Sequence, residues 1–121
     1  RLGAYRTWDA VITYPYQVYA RDTQIFLAVA KANLTITRIR VELDATGNQV
    51  AGDLKYADAF IGLANPVVIN DFDTTSGVRD DSTITSAAVA AGKCIYLQFD
   101  SQPSATITHM HVHIEWDFDP Q

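Results

Sequence analysis

His109-Met110-His111-Val112-His113-Ile114-Glu115-Trp116-Asp117-Phe118 alternates without a break. The even positions are Met, Val, Ile, Trp and Phe, and the odd positions are His, His, His, Glu and Asp. A two-residue period puts successive side chains on opposite faces, so this is a strand with one face on a core and the other toward water or a partner. Just upstream, Ile95, Leu97 and Phe99 alternate with Cys94, Tyr96 and Gln98. Asp100-Ser101-Gln102-Pro103-Ser104 between the two runs is turn chemistry, and it predicts that they form a hairpin.

Further strands appear on moving outward. Leu34 and Ile36 share one parity, while Ile39, Val41 and Leu43 share the other. One extra residue near Thr37-Arg38, a β-bulge, accounts for the slip. Asp44 to Asn48 supplies a Gly-Asn turn, Val67 to Asp73 is a β-branched run, and Thr74-Thr75-Ser76-Gly77 is a further turn. Thr7 to Tyr14 makes a first strand that stops at Pro15. Arg21 to Ala32 is ambiguous: its alanines favour helix and Asp22 or Thr23 could cap one. Ile25, Leu27 and Val29 alternate, however, and strand is the reading that agrees with both flanks. Seven or eight short strands predict an all-β fold, a single antiparallel β-sandwich of jelly-roll type spanning residues 1–121. No linker, repeat or low-complexity stretch marks a second domain.

Composition narrows the function classes. Of 121 residues, 48% are apolar and 19% charged, enough for one packed core and unlike a disordered chain. Cys94 is the single cysteine, so no disulfide closes within the chain. No apolar run reaches the roughly 18 to 20 residues of a membrane-spanning helix, and no membrane insertion is expected. The sequence opens on Arg1 and shows no charged-then-apolar leader, so secretion is not argued from it. A net charge of −5 disfavours nucleic acid, which needs clustered positive charge.

Few residues suggest chemistry. His109, His111 and His113 project from one strand face within about 13 Å, and imidazole is a common metal ligand. They are the metal candidates, but the expectation is no metal, the rings instead filling the polar side of an edge or interface strand. Packed against a neighbouring subunit or facing strand, they would make acid weaken the assembly; Glu115 and Asp117, or a neighbour's carboxylates, within hydrogen-bond reach would reverse that sign. Asp71, Asp73, Asp80 and Asp81 flank a turn and suit calcium in type, but their spacing fails the EF-hand loop. Cys94 reads as an inert strand residue. No nucleophile elbow, phosphate-cradling glycine loop or zinc-helix motif occurs, so no catalytic residue and no cofactor is expected. Tyr14, Tyr16 and Tyr19 crowd a Pro-containing stretch and suit either a sugar-stacking platform or a subunit interface, with the interface favoured. Asn33-Leu34-Thr35 matches a glycosylation sequon, which means nothing where the source does not glycosylate such sites.

Three longer phrases carry a resemblance: Gly52-Asp53-Leu54-Lys55-Tyr56-Ala57-Asp58-Ala59-Phe60-Ile61-Gly62-Leu63-Ala64, Val68-Ile69-Asn70-Asp71-Phe72-Asp73-Thr74-Thr75-Ser76-Gly77-Val78, and Ala91-Gly92-Lys93-Cys94-Ile95-Tyr96-Leu97-Gln98-Phe99. Together with the closing strand, they resemble small β-sandwich proteins and C-terminal domains of tailed-bacteriophage virions over roughly residues 30 to 118. The resemblance implies a non-enzymatic virion protein of the tail-fibre, receptor-binding or appendage type. It would assemble as a homo-oligomer, with a trimer expected, contact other virion proteins and present a surface to a host glycan. A capsid decoration or head fibre protein is the alternative within that class, and a carbohydrate-binding module of a bacterial protein is the alternative outside it.

Overall fold

The computed structural model describes residues 6–13, 15, 22–44, 50–74, 77–84, 87–102 and 106–118. Their regular structure is nine strands: β1 (Thr7–Thr13), β2 (Gln24–Val29), β3 (Leu34–Leu43), β4 (Ala51–Ala57), β5 (Val67–Asp73), β6 (Val78–Asp81), β7 (Ala88–Val89), β8 (Cys94–Phe99) and β9 (His109–Phe118). The first sheet runs β1-β9-β3-β6, with β7 also pairing β3; the second runs β2-β8-β4-β5. All pairings are antiparallel. Setting aside the two-residue β7, this is an eight-strand jelly-roll order, two four-stranded sheets closed over one core.

Alternation explains which faces are buried. Ile12, Leu34, Ile36, Ile39, Val41, Met110, Val112 and Ile114 point inward from the first sheet, and Leu54, Ile69, Phe72, Ile95, Leu97 and Phe99 from the second, all in one buried cluster. Each such side chain contributes about 1.5–3 kcal/mol relative to exposure. Within the ambiguous segment, Gln24–Val29 is strand β2, with Ile25 and Leu27 packed on that core; burial against the opposite sheet overrides the helical preference of its alanines.

The bulge near Thr37 is present, as a register shift between Ile36 and Arg38 against β9. It has a consequence for the outer surface. With Thr37 as the extra residue, parity inverts, and Arg38, Arg40 and Glu42 face out while Ile39, Val41 and Leu43 stay in.

The expected hairpin between the last two long strands does not form. β8 lies in the second sheet between β2 and β4, and β9 in the first between β1 and β3. Both strands are apolar on the inward face, so they meet across the core instead of along a hydrogen-bonded ladder. In the jelly roll the chain passes from one sheet to the other between them.

Two details hold the second sheet. Gly52 on β4 leaves no room for a side chain: a Cβ there would lie 2.6 Å from the Gln98 carbonyl oxygen and 3.0 Å from the Phe72 ring. Thr74, fully buried at the end of β5, accepts a hydrogen bond from the Val50 N–H through Oγ1 at 3.0 Å, while its own N–H donates to the Val50 carbonyl at 3.1 Å.

Candidate functional site

The outer face of the first sheet carries the histidines, each facing a carboxylate of its own chain. His113 Nδ1 lies 2.7 Å from Asp9 Oδ1 and its Nε2 lies 2.9 Å from Glu115 Oε2. Ionised carboxylates only accept hydrogen bonds, so satisfying both ring nitrogens requires the doubly protonated imidazolium. Asp9 and then Glu115 accordingly hold His113 above the ordinary histidine range, and His113 holds both carboxylates below theirs. His111 Nε2 lies 3.0 Å from the same Asp9 oxygen. His109 Nδ1 is 3.4 Å from Asp44, whose carboxylate also takes hydrogen bonds from Thr108 and is pushed well below its usual range. Side-chain exposure falls from 57% at His109 through 42% at His111 to 22% at His113.

The network continues across the sheet through the arginines that the bulge turns outward. Arg38 reaches Glu115 at 3.1 Å and grips both oxygens of Asp80 at 2.9 and 2.6 Å, while Arg40 lies 3.7 Å from Asp80 and 3.4 Å from Glu42. Among the described residues no three ligating side chains converge on a point that could hold a metal. The acidic stretch disperses too: Asp80 is taken by Arg38, and Asp81 by Arg79 at 2.8 Å and Asn70 at 2.9 Å.

The outer face of the second sheet is different in kind. Phe26, Tyr96 and Lys55 form one cross-strand row, and Gln24, Gln98 and Asp53 the next. Residues 58–66 fold over the far end of this face, where Leu63 packs on Ala57, Cys94 and Tyr96. Gly62, Leu63 and Asn65 all take positive φ there. The loop is tied by Asp58 N–H to the Ala64 carbonyl at 3.0 Å, by Asn65 Nδ2 to Asp58 at 2.7 Å, and by a Lys93–Asp58 ion pair. A groove of about 400 Å³ lies between this loop and the Gln24–Gln98 row.

Cys94, expected to be partly buried, is buried on β8 under the loop. Tyr14, Tyr16 and Tyr19 lie outside the described residues. Sequence reading missed Asp9, Arg38 and the whole Gln24–Gln98 face. The outward parity of Phe26 on a strand was the available signal.

Fold and surfaces together define a jelly-roll β-sandwich with two chemically distinct outer faces. No family model and no curated protein matches the chain. Among solved structures it is similar to the N-terminal CBM22-1–GH10 modules of the Clostridium thermocellum endo-1,4-beta-D-xylanase 10B, crystallised with xylohexaose, at 11% identity and a TM-score of 0.49 over 93% of this chain. The chain spans 25% of that structure's length.

Proposed function

We propose that this chain is a non-enzymatic recognition and assembly module of a phage virion, of the tail-fibre, receptor-binding or appendage type, acting as a homo-oligomer. The observation that carries this reading is the apolar surface of the second sheet, which adds to Val11, Val78 and Phe118 exposed on the first. Phe26, Val29, Phe60, Ile61 and Val68 are exposed on or over the outer face of the second sheet, Ile61 at 90%. Exposed apolar surface of that kind marks an interaction site more often than an idle one. The jelly roll is a fold of viral capsid and lectin domains alike, which is fold-level analogy and leaves the site to carry the argument.

The test is mass spectrometry of virions from a phage carrying the sequence, with light scattering of the isolated chain. The protein is expected in intact particles, at tail copy numbers and not the hundreds of a head decoration, and above monomer mass in solution. Absence from particles overturns the reading. A second reading, a carbohydrate-binding module of a bacterial protein, is supported by the ring-and-amide groove on the same sheet face; it predicts a chain found with an enzyme and never in a virion.

A further inference from the structure

The groove on the second sheet combines two kinds of surface. Phe60 lines it, and Phe26 stands beside Phe60 with ring centroids 5.1 Å apart at 57°, the two residues 47% and 43% exposed. Beside them the strands present amides and an ammonium. Gln24 Nε2 donates to Gln98 Oε1 at 3.3 Å, Lys55 Nζ donates to the same oxygen at 3.3 Å, and Gln98 Nε2 donates to Asp22 Oδ1 at 3.4 Å. All three contacts are at the long limit for hydrogen bonds, and weak contacts exchange readily for a better partner. A glutamine amide offers both donor and acceptor in one plane.

We propose that this groove binds a neutral oligosaccharide, its C–H faces stacked on Phe60, with the adjoining Phe26 at the rim, and its hydroxyls held by Gln24, Gln98 and Lys55. The inference rests on the reading of the chain as a recognition module and supplies that module's ligand class and residues. Its volume, about 400 Å³, falls in the roughly 300–1,000 Å³ range of small-molecule sites. A vicinal diol needs donors and acceptors together, which paired amides provide. An anionic glycan or phosphate is a poor fit, because Lys55 is flanked by Asp53, which pairs with Asp71 in register, and Asp22 lies against Gln98. A purely apolar partner would bury amides and an ammonium whose mutual contacts are long and leave some of their N–H groups without acceptors, which is costly. The tied 58–66 loop fixes the Phe60 wall before any ligand arrives, so little ordering entropy opposes binding.

The test uses the intact chain on an array of neutral gluco-, xylo-, manno- and galacto-oligosaccharides beside sialylated and sulfated ones, with calorimetry on the best neutral hit. At least one neutral series is expected to bind. F60A and Q98A should each weaken it about tenfold, with thermal melts reporting that both variants fold, and T13A on the opposite sheet should leave it unchanged. Retention of no neutral oligosaccharide, binding of anionic glycans only, or full affinity in folded F60A and Q98A would overturn the proposal. If F60A lowers the oligomeric mass and changes no glycan affinity, the rings meet a second copy of the chain and the proposal is likewise overturned. Virion proteomics and glycan binding are separate readouts, so either reading can fail alone.

Discussion

Asp9 and His113 are direct partners in the register of β1 and β9, 104 positions apart in the chain, and their side chains close to 2.7 Å. The pair settles the direction in which acid acts on this face. With Asp9 and Glu115 in reach, protonating His113 tightens the outer surface instead of loading it with unbalanced charge.

The pH dependence of stability follows from the signs. His113 is raised, so its contribution is complete below the ordinary histidine pKa and is lost as pH rises through its folded value. Asp9 and Glu115 are lowered, so theirs is complete above the ordinary carboxylate range and is lost as pH falls through their folded values. Both are present from about pH 4.5 to about pH 6.5. Urea midpoints should therefore be higher at pH 5.5 than at pH 8.5, and H113Q should narrow that difference. An unchanged difference in H113Q would remove His113 from the account.

Thr74 is the buried polar side chain to test. T74V leaves the Val50 N–H without its acceptor, an expected loss of about 1–3 kcal/mol in chemical denaturation. T74S keeps the oxygen and should stay close to the parent; equal losses in both would point to packing instead.

Gly52 and Gly62 separate two reasons for glycine. G52A drives a methyl into the Gln98 carbonyl on the neighbouring strand and should cost about 1–3 kcal/mol or more. At Gly62, φ is +74° with open space around it, so G62A should cost only about 1 kcal/mol, from the backbone alone. Thermal melts of the two variants should rank in that order.

Leu97 and Ile61 contrast buried with exposed apolar side chains. L97A empties part of the inter-sheet core, an expected loss of about 2–5 kcal/mol. I61A should change stability by less than about 0.5 kcal/mol and lower the solution mass if that surface holds copies together. A large loss of stability in I61A would place Ile61 in the fold and not at a contact.

The fold was legible because alternation is local. Val67–Asp73 reads directly as a strand, and the parity slip near Thr37-Arg38 locates the bulge found between Ile36 and Arg38. What failed was pairing. Nothing within residues 94–118 says whether two amphipathic runs joined by a turn lie side by side or face to face, since inward-facing apolar residues satisfy both. The partners of the histidine face were out of reach for the same reason: Asp9, Arg38 and Asp80 come to it from β1, β3 and β6, and no spacing in the sequence encodes those meetings. The groove was hidden more deeply, because glutamine and phenylalanine on a strand carry no motif until the neighbouring strands are in register.

The antiparallel pairing of β1 with β9 sets Thr7 opposite Glu115, with the Trp116 N–H on the Arg6 carbonyl at 2.9 Å and the Arg6 guanidinium 4.6 Å over the Phe118 ring. Arg6 and Phe118 are thus one doorway to the domain. The same arrangement makes it mechanically soft along that axis. Tension drawing Arg6 away from Phe118 loads the β1–β9 hydrogen bonds one after another, as in a zipper, and not all at once in shear.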